Sequence, residues 1–277
     1  MRSSRKRLVR IGTLAAAGLG AAALVASTTG AFAEEPEPRG DVETKIAGGE
    51  RAEEGQYPWM VSLSWTEDGS HFCGGSLIAP DLVLTAGHCF DEGSAETIEV
   101  RHGSVKHAET DTYQIEDYIV APDYDYDLVY DWAVVKLTEP ILGAQPIPLA
   151  PADLDNWTDF EVAGWGVRGH TGTSSNLRWA EVPYITDAEC TELAGKWGFT
   201  PETQMCAGVL EEGAEVNACP ADSGGPLMAE IAGQKVLAGI VSWGSDCYAD
   251  PDPGVYTSVG AQIDDIALAI AQLSLDE

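Results

Sequence analysis

The distribution of apolar residues predicts a chain built mainly of β-strands. Short segments rich in Val, Ile, Leu and Trp are bounded by Gly, Pro, Asp or Ser, which is typical of strands separated by turns. These segments are WMVSLSW (59–65), LVLTA (82–86), TIEVRHGSV (97–105), WAVVKL (132–137), FEVAGWGV (160–167) and VLAGIVSW (236–243). Helical spacing is persuasive only near the end, where Ile263, Ile266 and Ile270 recur among polar residues. The Pro-rich segment 138–155 predicts a connector between two β halves.

The first 33 residues predict a secretory signal peptide. A basic start is followed by an apolar stretch from Ile11 to Val25, and Ala31-Phe32-Ala33 is a small-x-small cleavage site. A membrane anchor is the weaker alternative, because a spanning helix needs roughly 20 strongly apolar residues and this run is short and rich in Ala and Gly. We therefore expect a secreted protein that has no membrane association once the signal is removed. The six cysteines fit an oxidising compartment.

The net charge of the chain indicates which classes of binding partner to expect. The net charge is −30, and removing +5 for residues 1–33 and −3 for residues 34–45 leaves −32 on residues 46–277. Such a balance argues against nucleic acid and anionic membranes, and it favours solubility and attraction to cationic substrates. We expect a monomer without a cofactor. No metal site is expected either, because no pair among His71, His102, His107 and His170 has metal-ligand spacing.

Four motifs in order resemble the chymotrypsin-like (trypsin-like) serine proteases. They are HFCGGSLIAPDLVLTAGHC (71–89), DWAVVKL (131–137), CPADSGGPL (219–227) and IVSWGS (240–245). The resemblance runs from Ile46 to about the end of the chain. It implies an all-β fold with two packed antiparallel six-stranded β-barrels, at about 46–145 and 156–260, and a C-terminal α-helix at about 261–277.

The same resemblance implies a catalytic triad of His88, Asp131 and Ser223, in the family's order. A serine hydroxyl is a poor nucleophile until a base removes its proton, and Asp131 would orient His88 and stabilise its cation. The expected function is a serine endopeptidase that cleaves proteins or peptides through an acyl-enzyme. Three alternatives are an inactive protease-fold binding protein, a structural or adhesive secreted domain, and an esterase acting on small substrates.

The resemblance also implies a disulfide pattern. The implied pairs are Cys73–Cys89, Cys190–Cys206 and Cys219–Cys247, whereas six cysteines alone permit fifteen arrangements. The first pair would tether His88. The third would tie the serine loop to the wall of the substrate pocket.

The expected substrate pocket favours a large side chain with an apolar body. The resemblance implies that Asn217 is at the base of this pocket, where trypsin-like members carry an aspartate. An amide has no charge, so a buried Arg or Lys would lack a partner at a cost of roughly 3–5 kcal/mol. A tyrosine, with its polar tip, suits such a pocket best, and other large apolar residues should also fit. Asp246 near the mouth supports the alternative, a preference for Arg or Lys. The resemblance also implies that Ser242, Trp243 and Gly244 form one wall of the pocket. Gly244 and Gly254 match the family's small wall positions, so a bulky side chain should fit.

Ala221 stands where the family usually has glycine. The backbone amides of Ala221 and Ser223 would form the oxyanion hole, and alanine keeps its N–H. If the geometry needs a positive φ, alanine costs on the order of 1–2 kcal/mol. We expect a strained but working hole.

The segment Lys45-Ile46-Ala47-Gly48-Gly49 resembles the family's activation site, with residues 34–45 as a propeptide. Cleavage after Lys45 would create an ammonium on Ile46 that pairs with Asp222. Since Asn217 is a poor match for lysine, a separate trypsin-like protease is the expected activator.

Overall fold

The computed structural model describes residues 49–125, 128–152, 158–167, 172–210, 217–244 and 252–275. Within these ranges, antiparallel strands form two six-stranded barrels, and two α-helices lie in the second half of the chain. The predicted all-β fold with two barrels and a C-terminal helix is therefore confirmed.

The N-terminal barrel is closed, with strand order β2-β3-β4-β7-β6-β5. Its core includes fully buried valine and leucine side chains, among them Leu63, Leu77, Val83 and Val135. The strands are β2 Met60–Trp65, β3 His71–Ala79, β4 Leu82–Thr85, β5 Ile98–His102, β6 Asp111–Val120 and β7 Ala133–Leu137.

The C-terminal barrel closes because β9 pairs with both β8 and β10. The ring then runs β8-β9-β10-β13-β12-β11. A short strand near the start of the described chain, β1 Glu50–Arg51, also pairs with β9, where Glu50 lies opposite Trp179. The N-terminal segment is therefore bound to the second barrel. The strands are β8 Asp159–Gly164, β9 Arg178–Ile185, β10 Gln204–Ala207, β11 Pro226–Ile231, β12 Gln234–Trp243 and β13 Gly254–Ser258.

The C-terminal helix, α2 Ile263–Leu273, is shorter than the predicted 261–277. Its buried face of Ile266, Ala269 and Leu273 packs toward β6 and β7, so the helix that follows the second barrel covers the first. Residues 138–152, the described part of the predicted connector, contain no strand or helix. Ile141 and Ile147 of this segment are buried in a hydrophobic cluster that includes residues of both barrels.

A second helix, α1 Asp187–Ala194, escaped prediction. Only Cys190 and Ala194 are buried on it, so it has no clear apolar stripe. The Thr186 hydroxyl accepts a hydrogen bond from the Glu189 amide, which caps the first turn. The capping residues were the only local signal for this helix.

The two barrels meet at the serine loop, residues 219–225. The Gly74 amide on β3 donates to the Ser223 carbonyl at 2.7 Å. A Cβ on Gly74 would lie 3.0 Å from the Gly225 Cα, so the two backbones need a glycine at this contact. Among the described residues, no helix is long and apolar enough to cross a membrane.

Candidate active site

His88 and Asp131 are brought together by the pairing of β4 with β7. His88 lies in the short 3₁₀ turn Gly87–Phe90 after β4, and Asp131 lies two residues before the start of β7. The His88 amide donates to Asp131 Oδ1 at 2.9 Å, and the ring Nδ1 bonds to Oδ2 at 2.8 Å. Because an ionised carboxylate only accepts, Nδ1 carries the proton and Nε2 has the free lone pair of a neutral imidazole.

Asp131 is fully buried and is also held by the second barrel. The Ser242 hydroxyl donates to Oδ2 at 2.5 Å, and the Thr257 hydroxyl donates to the Asp131 carbonyl at 2.8 Å. Two strands of the C-terminal barrel thus fix a residue of the N-terminal barrel. Ser242, expected only as a pocket wall, therefore has a second contact that the sequence did not reveal.

The surroundings of His88 favour its protonated form. Burial acts to lower the pKa of His88, but the hydrogen bond and charge of Asp131, with a further contribution from Asp91, outweigh it and raise the pKa above the ordinary value of 6.5. A raised pKa makes the imidazole a stronger base. It also means that the base is lost to protonation at a higher pH.

The serine loop is anchored through its carbonyl groups. The Pro220 carbonyl accepts a hydrogen bond from the Val167 amide, and the Asp222 carbonyl accepts one from the Gly225 amide. The Ser223 carbonyl accepts from the Gly74 amide. The loop continues through Gly224, where φ is +78° and a Cβ would lie 2.2 Å from the Thr85 hydroxyl. Any side chain at Gly224 would therefore displace the loop.

The amide groups of the loop divide into two sets. Those of Asp222, Gly224 and Gly225 donate to backbone carbonyls. Those of Ala221 and Ser223 donate to no acceptor within the part of the chain that the structure describes. Ala221 has φ +70°, the left-handed conformation in which an L-residue is strained. Ala221 thus has the positive φ whose cost was considered from the sequence.

His71 holds Ala221 from the other side. Its Nε2 bonds to the Ala221 carbonyl at 2.9 Å and its Nδ1 to the Ser62 hydroxyl at 2.7 Å. A carbonyl only accepts, so Nε2 carries the proton. Burial, with the nearby His107, lowers the pKa of His71 to about 3, although the Ala221 bond acts in the opposite direction. At neutral pH His71 is therefore uncharged, and Ser62 donates to Nδ1.

Ser223 and His88 line a common cleft of about 280 Å³, together with the Cys73–Cys89 disulfide. The two sulfurs and His88 are close enough for a shared metal ion. However, disulfide sulfurs offer no thiolate, so this group does not supply a metal site.

A second cavity, of about 200 Å³, also has Ser223 in its lining. It is lined by residues 218–220 of the serine loop and by residues 241–244 of β12 and its end, which include the predicted wall residues Ser242, Trp243 and Gly244. A Cβ on Gly244 would lie 3.7 Å from the Gly254 Cα, so the two predicted wall glycines face each other.

Asn217 lies beside Gly254 and is largely buried. Its amide nitrogen donates to the Asp252 carbonyl at 3.0 Å, and its oxygen accepts from the Ala218 amide at 2.8 Å. The Tyr256 hydroxyl, which is fully buried, has no hydrogen-bond partner among the described residues. It and the Asn217 oxygen would lie 3.0 and 2.7 Å from a Cβ on Gly254. Uncharged polar atoms thus surround this glycine.

Asp222 is fully buried next to Ser223. Its carboxylate accepts from the amides of Gly166 at 2.7 Å and Cys219 at 2.9 Å. Burial raises its pKa to about 6, and the two amide bonds offset this only in part. A Cβ on Gly164 or Gly166 would overlap the carboxylate, so the cage requires both glycines.

A family model described as Trypsin matches residues 46–266. The chain belongs to the trypsin family. It is a serine-type endopeptidase. A trypsin-like protease of Streptomyces glaucescens is 36% identical over 241 residues, which cover 83% of this chain and 84% of that protein.

Two longer proteases are also similar to this chain. Transmembrane protease serine 11C of Mus musculus is 36% identical over 78% of this chain and 51% of its own length. The serine proteinase stubble of Drosophila melanogaster is 35% identical over 78% of this chain and 30% of its own length. The chain thus spans about half and about a third of these two relatives.

Two predicted disulfides of this trypsin-family chain, Cys73–Cys89 and Cys190–Cys206, are confirmed. Cys219 is also in a disulfide, but its expected partner Cys247 lies outside the described residues. The predictions for Lys45, Ile46, Asp246 and His170 fall outside them too.

Proposed function

We propose that His88, Asp131 and Ser223 are the catalytic triad of this endopeptidase. His88 Nε2 removes the proton of the Ser223 hydroxyl as its oxygen attacks the carbonyl carbon of the substrate. The resulting imidazolium is stabilised by Asp131 and then protonates the leaving amine. Water, activated by the same base, releases the acyl group from Ser223. The contact of Nδ1 with Asp131 supports this assignment because it leaves Nε2 as the base.

The observation that carries the proposal is the pair of unused amides in the serine loop. The amides of Ala221 and Ser223 are the donors that we assign to the oxyanion hole, and both lack an internal acceptor among the described residues. Such preorganised donors stabilise the negative charge that develops on the carbonyl oxygen. They favour an enzyme over an inactive protease-fold binding protein or a structural domain.

We further propose that the cavity lined by Ser242, Trp243 and Gly244 receives the side chain that precedes the scissile bond. Next to its wall residue Gly244 lies Gly254, which is close to the amide of Asn217 and to the Tyr256 hydroxyl, a group without a partner among the described residues. No carboxylate is among the cavity's described lining residues. These uncharged groups suit a large side chain with a polar tip, tyrosine before phenylalanine or leucine. A preference for Arg or Lys through Asp246 is the second candidate.

The maturation scheme is also a proposal. A signal peptide at 1–33 directs secretion to the extracellular space, and a propeptide at 34–45 precedes a protease domain at 46–277. Cleavage after Lys45 by a trypsin-like protease yields an Ile46 ammonium for Asp222. The raised pKa of Asp222 supports this role, because a buried carboxylate held by two amides would be stabilised by a cation. The mature domain is expected to act as a monomer.

The specificity is tested with purified protein that begins at Ile46 and a library of peptides varied at the residue before the cleaved bond. Cleavage after Tyr, Phe or Leu should exceed cleavage after Arg or Lys, and Asn217→Asp should reverse part of that preference. Ser223→Ala is the control for a contaminating protease. Efficient cleavage after arginine by the unaltered protein would favour the assignment through Asp246.

A further inference from the structure

The cleft that contains both Ser223 and His88 has an acidic and aromatic wall, of which only Asp91 bears on the proposed chemistry, through the pKa of His88. Besides the Cys73–Cys89 disulfide, it is lined by Trp65, Phe72, Asp91 and Glu92. The Trp65 and Phe72 rings are stacked, with centroids 4.3 Å apart and planes inclined by 20°. No Lys or Arg is among the described residues that line it.

The carboxylates of this wall are differently placed. Asp91 accepts from the Tyr124 hydroxyl through both oxygens, at 3.2 and 3.1 Å, which fixes its orientation. Glu92 is exposed and has no hydrogen bond or ion pair with another described residue. The loop itself is packed on the indole, since a Cβ on Gly93 would lie 3.3 Å from Trp65 Cζ3. One carboxylate is thus positioned and the other is available.

The position of the cleft assigns it to one side of the substrate. Two cavities share Ser223, and the one lined by residues 218–220 and 241–244 is proposed to hold the side chain before the scissile bond. A peptide bound across Ser223 would then place the residues after the scissile bond in the cleft that is also lined by His88, which would protonate the leaving amine.

We infer that this cleft selects substrates with arginine or lysine in the first two positions after the scissile bond. The inference rests on the proposed function and refines its substrate class. An aromatic face attracts a cation, and a guanidinium can also stack on the ring while it bonds to a carboxylate. Arginine can stack on the aromatic rings and bond to a carboxylate at the same time, so it should be preferred over lysine. An acidic residue should be disfavoured by Asp91 and Glu92.

Acyl transfer tests the inference directly. The acyl-enzyme formed from N-acetyl-tyrosine ethyl ester or its lysine analogue is offered Arg-Ala-amide, Ala-Arg-amide, Ala-Ala-amide or Glu-Ala-amide. The attacking amine forms a C–N bond as the bond from the carbonyl to Ser223 Oγ breaks, and the amine proton passes through His88 to that oxygen. The ratio of peptide product to hydrolysed acid is measured. This ratio is independent of how fast the acyl-enzyme forms.

Both arginine nucleophiles should be captured about three- to tenfold better than Ala-Ala-amide, the range expected for partly exposed charge and cation–π contacts. The advantage should fall in 1 M NaCl, which screens exposed charges. It should also fall in the Asp91→Asn/Glu92→Gln variant. Glu96→Gln is the matched control, because Glu96 is an exposed carboxylate of the same loop that does not line the cleft.

Ester hydrolysis with equal capture of all four amides would overturn this inference and leave the proposed function standing. An arginine advantage that persists in the double variant would overturn the assignment to these carboxylates. Absence of ester hydrolysis with either ester would overturn the proposed function and this inference together.

Discussion

Replacement of Ala221 by glycine should stabilise the folded protein. Ala221 has φ +70°, and an L-residue in this region is strained by about 1–2 kcal/mol. Glycine removes that strain but gains about 0.4–1 kcal/mol of chain entropy in the unfolded state, which acts against folding. The net gain in the free energy of unfolding is therefore about 0.5–1 kcal/mol.

The same substitution should raise turnover only modestly. If all the relieved strain lowered the activation barrier, kcat would rise by about tenfold, since about 1.4 kcal/mol corresponds to a factor of ten. Restoring an oxyanion donor that was absent would instead raise kcat by about 10² to 10³. Because the Ala221 amide already lacks an acceptor among the described residues, we expect a gain of tenfold or less.

The assay combines kcat on a peptide anilide with urea unfolding in a Ser223→Ala background, where autolysis cannot interfere. Ala232→Gly is the matched control, because Ala232 in the turn between β11 and β12 also has a positive φ, of 52°. It should raise stability by a similar amount and leave kcat unchanged. A hundredfold increase of kcat in Ala221→Gly would refute the conclusion that the loop is already arranged for catalysis. A loss of stability would refute the strain argument.

Three further predictions follow from the charges. The raised pKa of His88 should place the midpoint of the acid limb of kcat/KM above pH 6.5, and Asp91→Asn should lower that midpoint. A midpoint below pH 6.5 in the unaltered enzyme would contradict the raised pKa. The folded pKa of His71 is about 3, so its contribution to the free energy of unfolding is complete above pH 6.5 and is lost as the pH falls toward 3. The full loss amounts to at most about 5 kcal/mol. Urea unfolding from pH 7.5 to 4.5 should therefore show a smaller loss of stability for His71→Gln than for the unaltered chain. Purified zymogen mixed with a trace of mature enzyme should release the Ile46 N-terminus no faster than zymogen alone, as followed by N-terminal sequencing, and accelerating release would mean that the pocket accepts Lys45.

The sequence predicted the features that are carried by local patterns. Alternating and continuous apolar runs located strands close to their observed bounds, as for the predicted segment 132–137 and β7 Ala133–Leu137. The motifs around His88, Asp131 and Ser223 identified the family because each motif is continuous in the chain. The Cys73–Cys89 pair was implied by the family resemblance, and both cysteines lie in the motif that contains His88.

The contacts that escaped prediction join residues far apart in sequence. Ser242 and Thr257 reach Asp131 from another barrel, and His71 reaches the Ala221 carbonyl across 150 positions. No local periodicity encodes such contacts, because they depend on how the barrels are packed. The positive φ of Ala221 is a similar case, since alanine rarely adopts it and only the surrounding hydrogen bonds maintain it.

The most direct test of the central claim is covalent labelling by a fluorophosphonate of protein that begins at Ile46. If His88 activates Ser223, the intact protein should incorporate one equivalent of probe, and peptide mapping should place it on Ser223. His88→Ala should slow labelling by several orders of magnitude. Absence of labelling, or labelling of Ser223 at the same rate without His88, would contradict the proposed triad.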